Sequence, residues 1–329
     1  MRPLEYTRPA DIAEAVTLLT ENPDASLLAG GTNLVDLMRL GVARPGTLID
    51  ISRLGLDEIT PSPEGGIRIG AMVRNSDLAA DQTIRDRFPM VARAVLAGAS
   101  GQLRNMATTG GNLLQRTRCG YFTDVSKPCN KRDPGSGCPA ITGRSRDLAV
   151  LGTSDACIAT FPGDLPVALT ALGAHVNFVD ADGAGSVHIE DFYRLPGDDP
   201  RRDTTLPAGA IITSVDIPLL PFAQHSTYRK ARDRRSFAFA LGAVAVAVDL
   251  DGDVLRDTRI ALGSVAPAPW RAHRAEAALR GTRVDLDSFR AASAAELSAA
   301  RPTEQNAFKL PLFERLITGV LTELTGVSE

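Results

Sequence analysis

All four cysteines of the chain, Cys119, Cys129, Cys138 and Cys157, fall in one stretch, and most of that stretch has no apolar periodicity. From Arg116 to Ser145 it is rich in Gly, Pro, Arg and Lys, and Pro128 and Pro139 stand directly beside two of the thiols. A loop of this length inside a compact chain is functional or disordered. A bound metal would explain how it stays ordered. The spacings are C-x9-C, C-x8-C and C-x18-C. Zinc knuckles favour ligands about two to four residues apart. No such pair exists, and His175, His188, His225 and His273 all lie outside the stretch. A cubane iron–sulfur cluster takes four thiolates, which a long wrapping loop can supply, although the spacing differs from the compact ferredoxin pattern. Spacing alone leaves four readings open: a cluster, a zinc site, two disulfides, or four inert thiols. Disulfides suit an oxidising compartment and are rarely needed in a chain this long. A catalytic thiolate lacks a nearby histidine as base.

The rest of the chain bounds the problem. Its 329 residues suggest two domains, or three small ones. A net charge of −3 gives no general pull toward nucleic acid or an anionic membrane. The opening residues Met1 to Pro9 have no apolar run after a basic start, which predicts no signal peptide. No apolar stretch reaches the roughly eighteen residues of a membrane span. The arginines at 229, 232, 234 and 235 read as a solvated face.

Periodicity predicts a helix over Pro9–Leu19, capped by Asp11, then a strand at Ala25–Ala29 and a tight turn at Gly30-Gly31-Thr32-Asn33. A helical turn or two follows at Leu34–Leu40, and a strand at Thr47–Ile51. Gly66–Ala71 reads as a strand and Ser76–Ala97 as helical, interrupted near Pro89. A second glycine pair sits in Ala107-Thr108-Thr109-Gly110-Gly111-Asn112. Leu165–Leu172 reads as a helix, Ala174–Val179 and Ser186–Ile189 as strands about a turn at Asp180–Gly183, and Ile211–Ile217 as a strand. A boundary falls near Leu219 to Gln224, where prolines cluster. Beyond it come strands at Phe237–Asp249 and Val254–Val265, then helices at Arg271–Leu279, Asp287–Ala300 and Asn306–Leu324. The dinucleotide fingerprint G-x-G-x-x-G is absent. A glycine pair at a helix start lets free N–H groups approach phosphate. Two such turns could grip two parts of one extended ligand, or be unrelated structural turns.

Taken in order, these residues resemble the FAD-binding (medium) subunit of the xanthine dehydrogenase family of molybdenum hydroxylases. Leu27-Leu28-Ala29-Gly30-Gly31-Thr32-Asn33-Leu34 is similar to the family's first flavin loop and Ala107–Asn112 to its second. Gly163-Asp164-Leu165 stands where the family usually has Ser-Asp-Leu. Ile212 and Tyr228-Arg229-Lys230 fall on segments near the flavin. The resemblance implies an α+β chain. Residues 1–222 would be a two-subdomain FAD-binding domain of the vanillyl-alcohol-oxidase-like type (about 1–55 and 56–222, with the cysteine loop at 116–157). Residues 223–329 would be a C-terminal α+β domain of the CO dehydrogenase flavoprotein type.

It also implies the site. Leu28, Ala29, Gly30, Gly31, Thr32, Asn33 and Leu34 would bind a non-covalent FAD, the amides of Gly30, Gly31, Thr32 and Asn33 holding its pyrophosphate. Thr108, Thr109, Gly110, Gly111 and Asn112 would form the second half of the cleft. Asp164 would bind a ribityl or ribose hydroxyl, Ile212 would pack near the flavin, and Arg229 or Lys230 would place positive charge there. No residue would be catalytic in the bond-making sense. Most members lack the cysteine loop. Its presence is similar to the branch whose flavin subunit carries a 4Fe–4S cluster, that of bacterial periplasmic aldehyde oxidoreductases and 4-hydroxybenzoyl-CoA reductase. That implies Cys119, Cys129, Cys138 and Cys157 as ligands.

The implied activity is electron transfer in a heterotrimeric molybdenum-dependent aldehyde oxidoreductase. Its partners would be a small subunit with 2Fe–2S clusters and a large subunit with the molybdenum cofactor, with neither nucleic acid nor membrane insertion involved. Export on a partner's signal would place it in the periplasm, and the alternative is cytoplasmic. The rivals are a flavin subunit of the xanthine dehydrogenase or 4-hydroxybenzoyl-CoA reductase type, a stand-alone flavoenzyme of the enolpyruvyl-sugar reductase type, and a zinc-stabilised binding protein.

Overall fold

The computed structural model describes residues 3–327. After β1 (Glu5–Thr7), Asp11 stands in an extended conformation and accepts a hydrogen bond from the Glu14 amide at 2.8 Å. The Glu14 carboxylate reaches back to accept from the Ala10 amide at 2.6 Å. This reciprocal cap starts α1 (Ile12–Glu21). Then come β2 (Ala25–Leu28), α2 (Leu34–Arg39) and β3 (Thr47–Asp50). The three strands form a parallel sheet in the order β1-β3-β2. Ala15 and Val16 of α1 share a core with Ile49 of the central strand. Only three residues long, β1 carries no pattern of its own and is absent from the sequence reading.

β4 (Ile59–Pro61) and β5 (Ile67–Gly70) open a second sheet. Seven helices intervene: α3 (Asn75–Ala80), α4 (Gln82–Arg87), α5 (Pro89–Ala97), α6 (Gly101–Arg104), α7 (Thr109–Leu113), α8 (Gly120–Thr123) and α9 (Leu165–Ala171). Pro89 begins α5, where its missing N–H would have had no partner anyway. The sheet is completed by β6 (His175–Asp180), β7 (Gly183–His188) and, after α10 (Ile189–Phe192), β8 (Ile211–Ile217). Its order is β4-β5-β8-β6-β7, antiparallel throughout. β7 starts at Gly183, three residues before the expected Ser186, because Gly183, Ala184 and Gly185 give no apolar alternation.

The last sheet holds β9 (Ser226–Ala231), β10 (Gly242–Asp251), β11 (Val254–Gly263) and β12 (Trp270–Arg271), antiparallel in the order β12-β11-β10-β9. Helices α11 (His273–Leu279), α12 (Leu286–Leu297) and α13 (Lys309–Thr325) follow, and Gly326 at φ 71° caps α13. The alanine- and valine-rich segment expected as a strand from Phe237 is β10, which starts at Gly242. Its two faces differ. Ala243, Ala245 and Ala247 join a core with Val91 and Val95 of α5 and Val167 and Ala168 of α9. Val244, Val246 and Val248 join a separate core with Phe313, Ile317 and Val320 of α13. The small face admits helices closely: a Cβ at Gly263 would lie 2.7 Å from Val167. Residue 222 lies in the connection between β8 and β9, and residue 55 in that between β3 and β4. Among the described residues, no helix is long and apolar enough to cross a membrane.

Candidate functional site

Between β2 and α2, the residues from Leu28 to Leu34 are all half-buried, as a concave wall requires. Gly31 takes φ 71°, a left-handed conformation that a side chain resists. The amides of Gly30, Gly31, Thr32 and Asn33 donate to no group among the described residues. Asn33 Oδ1 accepts from the Arg116 amide at 3.1 Å, while its Nδ2 is buried without a partner. An unmet buried donor costs about 1–3 kcal/mol. A loop that keeps several donors unmet fits a ligand rich in acceptor oxygens, such as a pyrophosphate. The loop is also pressed against the chain just before the second glycine pair, since a Cβ at Gly30 would stand 1.8 Å from the Met106 carbonyl oxygen. The two motifs, far apart in sequence, are thereby brought into contact.

The second motif is built differently. Thr108 caps α7 by accepting from the Gly111 amide at 3.3 Å. The Thr109 amide donates to Val73 O at 2.9 Å, the Gly110 amide to Ala71 O at 2.8 Å, and the Asn112 amide to Thr108 O at 2.8 Å. These amides are already committed, so this wall offers shape and side chains, while the first offers N–H groups. Ala71 in turn donates to Thr213 O at 2.9 Å. β8 is irregular there: Asn177 pairs with Ser214 and Phe178 with Ile212, which leaves Thr213 unpaired on β6. The bulge thus anchors the second motif, and it sets Ile212 one residue away from that anchor, buried in the adjoining core.

Asp164 ends the segment before α9 and is buried. Its Oδ1 accepts from the Tyr228 hydroxyl at 2.6 Å and its Oδ2 from Lys230 Nζ at 2.8 Å. Lys230 and Arg232 both donate to Ala97 O at the end of α5. Burial and the neighbouring carboxylate hold the Tyr228 hydroxyl well above its ordinary pKa, so it remains a donor. Strand alternation sends Arg229 the other way, to an exposed ion pair with Glu323 of α13. The structure therefore brings Lys230 together with Asp164 and leaves Arg229 apart. Tyr228 has no role in the sequence reading, because its i, i+2 relation to Lys230 emerges only once the segment is seen to be the strand β9. Gly163 has a local cause: a Cβ there would lie 2.6 Å from the Phe161 ring, which packs edge-on to Tyr193. A serine at 163 does not fit beside this phenylalanine.

The four thiols line a single small cavity of about 10 Å³. Cys119 precedes α8, and its carbonyl accepts from the Phe122 and Thr123 amides. Cys129 and Cys138 flank a turn in which the Asn130 amide donates to Gly137 O and Asn130 Oδ1 accepts from the Gly137 amide. Gly135 and Gly137 take positive φ in this turn. Asn130 Nδ2 donates to Ala156 O at 3.0 Å, which ties the turn to the Cys157 segment. No disulfide joins any two of them. Burial raises the Cys119 thiol and pushes that of Cys157 up to about 11, so without a cationic group both stay protonated. Among the described residues, no three His, Cys, Asp or Glu side chains are placed to hold a single metal ion. Four sulfurs spread around one cavity fit a larger thiolate-ligated group such as a cubane cluster. The cysteine loop also packs on α2: Leu37 shares a core with Cys119, Phe122 and Cys157, and Arg118 pairs with Asp36 at 3.1 Å.

Residues 2–220 match the family described as the FAD binding domain in molybdopterin dehydrogenase, and residues 226–324 the CO dehydrogenase flavoprotein C-terminal domain. The chain is 48% identical over 325 residues, 98% of each sequence, to the aldehyde oxidoreductase FAD-binding subunit PaoB of Escherichia coli (strain K12). It is 27% identical over 282 residues, covering 86% of this chain and 83% of the relative, to the glyceraldehyde dehydrogenase medium chain of Sulfolobus acidocaldarius. Among solved structures, a carbon monoxide dehydrogenase from Hydrogenophaga pseudoflava superposes with a TM-score of 0.75 at 26% identity, covering 98% of this chain and 96% of that one.

Proposed function

We propose, on the premise that this chain belongs to the family of FAD-binding medium subunits of molybdenum hydroxylases, that it is the electron-transferring flavin and iron–sulfur subunit of an aldehyde oxidoreductase. That it is the FAD-binding subunit of a molybdenum hydroxylase-type oxidoreductase follows from the family. The aldehyde substrate class is supported by the 48% identical relative, whose name states that activity. The observation that carries the reading is the presence, in one chain, of an unpaired N–H cradle at Gly30–Asn33 and a four-thiol cavity, joined where Asn33 accepts from the Arg116 amide.

FAD, when bound, supplies the two-electron and one-electron chemistry that the side chains lack. This chain's residues position it. The amides of Gly30, Gly31, Thr32 and Asn33 bind the pyrophosphate. Thr108, Thr109, Gly110, Gly111 and Asn112 shape the opposite wall. Lys230, held by Asp164, places a buried positive charge at the C-terminal end of α5, and Asp164 keeps lone pairs that a ligand hydroxyl would use. Cys119, Cys129, Cys138 and Cys157 would hold a 4Fe–4S cluster. The assembly proposed is a heterotrimer, with a small subunit bearing 2Fe–2S clusters and a large subunit bearing the molybdenum cofactor, located in the periplasm by export with a partner.

The deciding experiment is flavin, iron and zinc analysis of protein purified without air or added metal. One FAD and about four irons per chain are expected. One zinc without iron refutes the cluster and weakens the aldehyde-oxidoreductase assignment. NAD(P)H turnover by the isolated chain would refute the subunit role in favour of a stand-alone flavoenzyme. Co-purification of the three subunits in equal amounts, from the periplasmic fraction, tests the assembly and its compartment.

A further inference from the structure

We propose that Lys131 sets the reduction potential of the cluster held by the four cysteines, with Asp203 as the positioning residue for Lys131. The inference rests on the cluster reading above. Five basic residues lie between Arg116 and Cys138: Arg116, Arg118, Lys127, Lys131 and Arg132. Four of them are exposed or engaged elsewhere. Arg118 pairs with Asp36. Arg132 donates to the carbonyls of Tyr121, Asp124 and Lys127, stapling the loop. Arg116 forms an ion pair with Asp203 and lies over the Phe122 ring at 5.0 Å. Lys127 is exposed.

Lys131 alone among the five lines the cysteine cavity, and its side chain is only 6% exposed. Its ammonium donates to Pro200 O at 2.7 Å and to Asp203 Oδ1 at 2.5 Å. Both acceptors belong to the segment between α10 and β8, so a part of the chain remote in sequence fixes the position of this cation.

Reduction adds one electron to the cluster. A cation held beside it, away from water, favours the reduced form and raises the potential. A carboxylate behind that cation offsets part of the effect. The two partners therefore act with opposite signs, which general loosening of the loop would not produce.

The test is a spectroscopically monitored redox titration of the iron-loaded protein in its complex, with iron per chain measured for every variant. Lys131→Met should lower the midpoint potential, shifting the oxidised-to-reduced ratio at fixed potential about tenfold, equivalent to about 59 mV for one electron. Lys131→Arg should restore it. Asp203→Asn should move it upward. An iron-replete Lys131→Met with an unchanged midpoint overturns the proposal, as do shifts of Lys131→Met and Asp203→Asn in the same direction. If Lys131→Met holds no iron, Asp203→Asn decides: a rise supports the proposal and an unchanged midpoint overturns it. Wild-type protein without iron overturns the cluster reading itself, and this inference with it.

Discussion

Gly30→Ala should release FAD far out of proportion to the atoms added. The new Cβ would lie 1.8 Å from the Met106 carbonyl oxygen and 2.6 Å from its carbon. Ordinary contact begins near 3.4 Å, so the two loops must part by about 1.6 Å. The obstacle is backbone and cannot swing aside as a side chain would. Overpacking of this kind costs typically about 1–3 kcal/mol, and the upper end applies here. The larger effect falls on the ligand. Hydrogen bonds hold only within about 2.7–3.2 Å, so a shift of that size breaks those from the Gly30–Asn33 amides. Losing two bonds to a charged acceptor, at about 1.5 kcal/mol each, weakens FAD binding roughly a hundredfold. The assay is flavin titration of the FAD-free chain, with denaturant unfolding run in parallel. Gly111→Ala is the control: its Cβ meets only the Thr108 hydroxyl, at 2.9 Å, and should change affinity a few-fold at most. Gly30→Ala binding FAD within threefold of wild type would refute the reasoning.

Three further outcomes are expected. Asp164→Ala strands Lys230 in a buried site and should cost about 3–5 kcal/mol in denaturant unfolding, partly recovered by adding Lys230→Met; a cost below about 1 kcal/mol contradicts the buried pair. Arg229→Ala removes an exposed ion pair, so stability should change by less than about 1 kcal/mol and FAD affinity should not change; a large loss of flavin would show that Arg229, not Lys230, serves the cleft. Lys309, whose ammonium donates to Asp147 O and Ser264 O, is pushed by burial from the usual 10.5 down to about 8. Between those values the unfolded chain binds the extra proton, so stability attributable to Lys309 should rise with pH, by up to roughly 3 kcal/mol. The stability difference between wild type and Lys309→Met, followed from pH 8 to 10, should change accordingly, and a flat difference is the contrary result.

The parts legible in the sequence are those whose causes are local. Asp11 with Glu14, Asp180 to Gly183, and the periodic run from Asn306 to Leu324 each specify an element from neighbouring residues. β1, β4 and β9 were not legible. The first two have three residues each: β1 exists by pairing with the distant β3, and β4 is the short arm of a hairpin with β5. β9 buries Ser226, Thr227 and Tyr228, so its polar composition hid a strand. The site divides in the same way. The glycine motifs are readable as turns, but the contrast between unpaired amides in one and committed amides in the other depends on Ala71, Val73 and Thr213. The choice between Arg229 and Lys230 needed strand register. For Asp164, the sequence suggested a ligand to a hydroxyl. Its contacts with Tyr228 and Lys230 come from a strand that folds back across more than one element, beyond the reach of local pattern.

The two unlike faces of β10 bear on heredity as much as on folding. A strand whose alanines belong to one core and whose valines belong to another is a hinge pin common to both halves. Cutting the chain between β8 and β9 would strip α5 and α9 of their cover in one fragment and leave a flat alanine surface in the other. Neither piece would stay in solution by itself, while the two made together in one cell would. Exchange of the carboxy-terminal portion between relatives is therefore constrained to partners that bring both the small residues of β10 and matching helices. The flavin cleft and the unit beyond it are expected to change in step over evolutionary time.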